Sequence, residues 1–418
     1  MKITEIYNLF LKHKKICTDT RKIQKGSIFF ALKGEKFNGN QFATQAINKG
    51  CSIAIIDEKK YQSSNKHILV KNVLETLQKL AQHHRKNLSI PIIGITGTNG
   101  KTTSKELIHS VLETEVNCYA TKGNLNNHIG VPLSILKINN THKLAIIEMG
   151  ANHKKEIKFL CNIAQPTHGI ITNIGTAHLE GFKNNQTIID TKNEIYEYIN
   201  QKNGIVFVNS NDKLLLDLSS SINRILYGET GCCIGKMIEN TPYVIVKYND
   251  TKITSKLIGQ YQFNNIMLAI CIGKYFNIKL QNIKNAIESY IPKNNRSEIL
   301  KTKNNILILD AYNANPSSMK AMINSFAQQN YSNKICILGD MLELGKYAKS
   351  EHRAIFKLIE EFDLKAFLIG NEFSKISKQA FKNKIDFIKF LESHPIKNKT
   401  ILIKGSRGLS LEKLTKHL

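Results

Sequence analysis

The chain has no tryptophan, only seven prolines, and no C-x-x-C pair among its eight cysteines. Sparse proline argues against an extended, low-complexity tail. Cysteines at 17, 51, 118, 161, 232, 233, 271 and 336 show no metal-ligand spacing, and adjacent Cys232 and Cys233 form no easy bridge. Unpaired thiols in a reducing compartment are therefore expected. No apolar run approaches the roughly 18 residues of a membrane span, so no membrane partner is expected. Glu5 and Asn8 stand where a leader peptide needs an apolar stretch, which predicts a cytoplasmic protein. Acidic residues are scarce: 33 against 59 basic ones give a net charge of +26. The lysines spread over the whole length, with no arginine-rich block and no aromatic-interleaved basic stripe. Lys, Asn and Ile all have AT-rich codons, so composition accounts for the excess. A solvated basic surface follows, with no nucleic-acid partner; such a field also speeds encounter with anionic substrates.

What is present is an ordinary globular composition, 42% hydrophobic and 22% charged, on a chain of 418 residues. That length suits roughly two to four domains. Residues 1–88 carry short apolar strings at Ile28–Leu32 and Ile53–Ile56, punctuated by glycines, and end in a helix around Val73–Lys86. Residues 89–295 alternate strand-like runs at Ile92–Thr96, Lys143–Glu148, Gly169–Asn173 and Gly204–Asn209 with helical stretches. That alternation predicts a mostly parallel sheet covered by helices, with Tyr243–Leu257 as a hairpin outside it. Residues 296–418 predict a separate doubly wound domain. Its strands are expected at Ile306–Asp310, Lys334–Gly339, Ala366–Gly370, Ile385–Ile388 and Thr400–Lys404. Helices are expected near Ser317–Gln329, Ser350–Phe362 and Glu372–Phe381.

The strongest local signal is Gly94-Ile95-Thr96-Gly97-Thr98-Asn99-Gly100-Lys101-Thr102-Thr103. An apolar strand precedes it, and Leu107, Ile108, Val111 and Leu112 form a helical stripe behind it. Strand, glycine-rich turn and helix make a phosphate loop: backbone N–H groups converge on phosphate oxygens at a helix N-terminus. Lys101 reaches the terminal phosphates of ATP, and the Thr102 hydroxyl can ligate Mg²⁺. The spacing is G-x-x-G-x-x-G-K-T-T, since Ile95 breaks the common G-x-x-x-x-G-K-[ST] form.

Glu148 ends one predicted strand and His178 follows another. In an open α/β sheet, ligands gather beyond the carboxyl ends of the strands, so both can face the same phosphate and metal site. Alone, each reads as a surface or capping residue. Lys192, in Thr191-Lys192-Asn193-Glu194, reads alone as an exposed helical lysine.

Several stretches together resemble the Mur ligase superfamily, which also includes folylpolyglutamate synthases. They are Gly97–Thr103, Gly123-Asn124-Leu125-Asn126-Asn127-His128, Asp310-Ala311-Tyr312-Asn313-Ala314-Asn315-Pro316-Ser317-Ser318-Met319, Leu338–Gly345 and Lys404-Gly405-Ser406-Arg407. Thr18-Asp19-Thr20-Arg21 resembles the superfamily's UDP-sugar segment, so the likeness runs from about residue 18 to 408. The resemblance implies an α/β protein of three domains. These are a UDP-sugar domain (1–88), a central ATP-binding domain (89–295) and a C-terminal Rossmann-like domain (296–418). It also implies an ATP- and Mg²⁺-dependent ligase, cytoplasmic and monomeric, that joins D-alanyl-D-alanine to UDP-N-acetylmuramoyl-tripeptide through an acyl phosphate. Residue by residue, Gly97, Thr98, Asn99, Gly100, Lys101, Thr102, Thr103, Asn265, Arg296 and Asp310 match positions that contact ATP. Thr102, Glu148, His178 and Lys192 match metal positions, with Lys192 carbamylated, and Lys101, His178 and Lys192 would be catalytic. Thr20, Arg21, Asn126 and Asn127 would face the UDP-muramoyl peptide, and Asn313 and Asn315 the incoming dipeptide.

Two positions depart from the pattern. Tyr261 and Gln262 replace the usual His and Asn ahead of Asn265, which alters the expected adenine pocket. Lys155 stands where the superfamily usually has Gly before Glu156-Ile157, which reads as a harmless loop change. Other readings are a ligase of the same superfamily with another acceptor, a basic nucleic-acid ATPase, and a homologue without catalysis.

Overall fold

Three large sheets follow one another along the chain, with a two-stranded hairpin, Lys33–Gly34 and Phe37–Asn38, beside the first, described by a computed structural model for residues 1–177, 179–293 and 295–418. The first has four parallel strands in the order Ile16–Cys17, Ile28–Phe30, Ile53–Ile56, His67–Leu69. The helix Val73–Lys86 closes this unit; Leu77, Leu80 and Ala81 are buried on its inner face. Its Asn72 cap accepts from Glu75 N.

The same helix joins the first unit to the second. Arg85 is 7% exposed and has no carboxylate partner among the described residues. Its guanidinium instead donates to the carbonyls of Leu88 (2.7 Å), Ala164 (3.0 Å) and Gln165 (3.1 Å). His84 meets the Ile138 carbonyl at 2.8 Å, and Gln78 donates to the His128 carbonyl.

The second sheet has nine strands. From one edge they run Cys118–Ala120, Leu144–Glu148, Ile92–Thr96, His168–Ile171, Ile205–Asn209, Arg224–Gly228 and Cys233–Glu239, all parallel. Leu144–Glu148 and Ile92–Thr96 are buried at every position, as a strand with helices on both faces requires. The hairpin Ile245–Tyr248/Thr251–Thr254 was expected outside this sheet. It is instead its far edge, paired antiparallel to Cys233–Glu239. Val244, Val246 and Ile253 are buried in the same apolar cluster as the sheet interior, which draws the hairpin in.

The third sheet has the order Glu298–Lys301, Ile306–Asp310, Thr400–Lys404, Lys334–Gly339, Ala366–Ile369, with only the first strand antiparallel. Two expectations fail here. Ile385–Ile388 lies in a helix, Lys384–Ser393, started by the Asn383 side chain accepting from Asp386 N. Phe387 and Leu391, one turn apart, are its buried residues, while Ile385 is exposed. The helix expected at Glu372–Phe381 stops at Ser374. The chain then turns so that Phe381 bridges to Ile369 at the sheet edge.

Lys155 is not a neutral change. Its φ is +67°, the left-handed region in which a Cβ is strained. Its N–H and that of Lys158 donate to Glu194, which fixes the start of the helix Glu156–Ala164. Lys155→Gly should therefore stabilise the protein by about 1 kcal/mol. The expected reading is a higher urea midpoint at constant slope; an unchanged or lower midpoint would show that the loop holds no strain.

Candidate functional site

Strand order reverses around Ile92–Thr96: the next strands in sequence lie on one side and His168–Ile171 on the other. Such a switch opens a crevice at the strand ends. The cleft there measures about 1120 Å³, with walls from the second and third segments.

Gly97 and Gly100 have φ of +139° and +78°. A Cβ on Gly97 would lie 2.0 Å from Thr172 Oγ1, so only glycine lets the loop pass this close. Gly100 then caps the helix Lys101–Leu112, whose N-terminus faces the loop. The Lys101 ammonium donates to the carbonyls of Gly97 (2.6 Å) and Thr98 (3.1 Å). Burial holds it below the ordinary lysine value, at about 8, against the opposing pull of Glu148.

Glu148 is 2% exposed and accepts from Thr102 Oγ1 (3.0 Å) and Asn126 Nδ2 (2.9 Å). Lys105, equally buried, stands 3.7 Å from the same carboxylate and donates to the Thr121 carbonyl. Sequence reading missed Lys105. Its signal was a cation one helical turn after Lys101, on an otherwise apolar stripe.

Lys192 is not an exposed lysine: it is 3% exposed and lines the cleft. Burial, then the charge of Lys101, lowers its amine to about 7. Among the described residues no carboxylate lies within ion-pair distance of it, and its ammonium stands over the Phe182 ring at 5.7 Å. His178 lies outside the described residues.

Asn265 accepts from Ser104 Oγ (2.9 Å) and donates to Gln262 Oε1 (2.7 Å), so the departing Gln262 fixes its amide. Tyr261 meets Ser297 Oγ at 3.1 Å. Asp310 accepts from Ser297 N and from buried Lys404. The Arg296 guanidinium stacks 3.7 Å from the Tyr312 ring centre.

The cleft thus gathers Gly97 through Thr103, Asn126, Asn127, Glu148, Lys192, Asn265, Arg296, Asp310, Asn313 and Asn315. Two amides have local duties as well: Asn127 Oδ1 accepts from Ile129 N and Gly130 N, and Asn313 Oδ1 from Ala314 N. Thr20 and Arg21 are not brought there; Arg21 is exposed and paired to Asp19 at 2.8 Å. No three of His, Cys, Asp and Glu cluster among the described residues. A hydroxyl and a single carboxylate suit a hard cation that completes its shell with phosphate oxygens and water.

A phosphate loop at the switch of a parallel sheet, facing a second doubly wound unit, defines a nucleotide-dependent two-wall enzyme. Residues 12–85 match the Mur ligase family catalytic domain, 95–273 the Mur ligase middle domain, and 295–407 the Mur ligase glutamate ligase domain. The chain belongs to the Mur ligase family. UDP-N-acetylmuramoyl-tripeptide–D-alanyl-D-alanine ligase of Bacillus subtilis is 33% identical over 96% of this chain and 92% of its own. The Haemophilus influenzae protein of the same name is 32% identical over the same shares. The crystal structure of MurF from Acinetobacter baumannii superposes with a TM-score of 0.87 at 29% identity, covering 97% of this chain and 93% of that one. Thermotoga maritima MurF in complex with ADP gives 0.85 at 26% identity, covering 97% of each.

Proposed function

We propose that the chain joins D-alanyl-D-alanine to UDP-N-acetylmuramoyl-tripeptide, converting ATP to ADP and phosphate and making a peptidoglycan precursor. The observation that carries this reading is one cleft with the phosphate loop on one wall and Asp310, Tyr312, Asn313, Asn315, Ser317 and Ser318 on the other.

The chemistry follows from the bond to be made. An amine cannot readily expel oxide from a carboxylate, so the γ-phosphoryl of ATP is first transferred to the peptide carboxylate. The dipeptide's amine then attacks the acyl carbon, and phosphate departs with the carboxylate oxygen. Positioning and charge neutralisation dominate such a transfer.

In this reading Gly97–Thr103, Asn265, Arg296 and Asp310 bind ATP, and Lys101 draws charge from its terminal phosphate. Thr102, Glu148, His178 and carbamylated Lys192 would hold Mg²⁺, which when bound neutralises the phosphate oxygens. Thr20, Arg21, Asn126 and Asn127 would take the UDP-muramoyl peptide, and Asn313 and Asn315 the dipeptide. Among the described residues no helix is long and apolar enough to cross a membrane. A cytoplasmic, monomeric enzyme belongs to the same reading; eight free cysteines fit the first of these, a reducing compartment.

The test follows oxygen. ¹⁸O placed in the tripeptide's terminal carboxylate should emerge in inorganic phosphate, and only when ATP and the dipeptide are both present. Phosphate without label would sink the reading. D-glutamate, a diamino acid or glutamate accepted in place of the dipeptide would assign the chain to another branch of the family.

A further inference from the structure

Asn99 sits inside the phosphate loop, yet its polar groups already have protein partners. Its N–H donates to Asn173 Oδ1 at 3.0 Å. Its carbonyl accepts from Thr172 Oγ1 (2.6 Å) and Asn173 Nδ2 (3.0 Å). Its side chain crosses the cleft: Oδ1 accepts from Asn315 Nδ2 and Nδ2 donates to Ser317 Oγ, both at 2.8 Å.

The receiving side is equally defined. Asn315 caps the 13-residue helix Pro316–Gln328, its Oδ1 accepting from Ser318 N at 2.8 Å. That leaves its Nδ2 free to point at Asn99. Ser317 Oγ also approaches the Thr176 carbonyl at 3.5 Å, and a Cβ on Gly175 would lie 2.9 Å from that oxygen. Gly175 is in turn tied to the loop by two bonds with Thr98 Oγ1, each 3.0 Å.

We infer that Asn99, Asn315 and Ser317 form a latch that seats the third segment on the phosphate loop, with the Asn99 side chain spent on positioning while the loop around it holds the nucleotide. The loop then serves two partners at once. Its glycines and Lys101 turn to phosphate, and the side chain between them fixes the wall that carries the acceptor. This rests on the reading above in assigning the acceptor to the third segment.

The test is a double-mutant cycle of Asn99→Ala and Ser317→Ala, read as kcat/KM for the dipeptide and as ADP affinity. Each single change should lower kcat/KM about fivefold or more, the worth of one ordinary hydrogen bond. The double variant should be no worse than the poorer single. Ser317→Ala should bind ADP as the wild type does. Ser317→Cys, which keeps the size of the side chain but offers Asn99 only a weak acceptor, should show the same loss if Ser317→Ala proves unstable. Losses that multiply in the double variant, wild-type ligation by Ser317→Ala, or a loss lying wholly in ADP affinity would each overturn the latch. Small-angle scattering with ADP reads it without the reaction, so it separates this inference from the proposed ligation. The double variant should have a larger radius of gyration than the wild type; equal radii count against the latch.

Discussion

Lys101→Ala should lower ligation by about 10³-fold, the upper end of what loss of one preorganised charge costs. The side chain begins the helix Lys101–Leu112, and among the described residues its hydrogen bonds go only to two carbonyls of its own loop. Leu107, Ile108, Val111 and Leu112, which anchor that helix in the core, are untouched. The thermal midpoint should therefore stay close to wild type while phosphate release collapses. Near-normal product from this variant would defeat the assignment of the loop.

Lys192→Ala is expected to be inactive and partly rescued by small carboxylates such as acetate. Its amine is buried and lowered to about 7, so the uncharged form grows as pH rises through that value. Only an uncharged amine adds CO₂: an N–C bond forms, a proton leaves, and the product is an anionic carbamate. That turns a buried cation without a carboxylate partner into an oxygen ligand of the kind a hard cation takes. Wild-type enzyme in CO₂-depleted buffer should lose activity and regain it on adding bicarbonate. Full activity of Lys192→Ala without any additive would leave this lysine a role in packing alone.

Much of this was legible because it is local. Ile92–Thr96 and Thr400–Lys404 are short runs built on isoleucine and leucine, and both are strands with every position buried. The phosphate loop declares itself in ten consecutive residues. Where reading failed, the deciding partners are distant or the periods compete. Ile385–Ile388 is a short apolar run that fits strand or helix, and a cap at Asn383 settled it. Lys192 looked exposed because nothing in its neighbours says which helix face the cleft will cover. Asn99 is legible in the sequence only as a phosphate-loop position, since its partners Asn315 and Ser317 lie 216 and 218 residues away. Lys155 is the converse case: the departure was visible, but only the φ angle gives it a cost.

Arg85 has a bearing on which parts of this enzyme can move. One guanidinium, sealed from water, grips three carbonyls along the seam between the first and second sheets. Swinging those two units apart would break the bonds to Ala164 and Gln165 together, so this side chain ties the first sheet to the second. The last 120 or so residues, by contrast, meet the phosphate loop through neutral hydrogen bonds from Asn99 to Asn315 and Ser317, each worth about 1 kcal/mol.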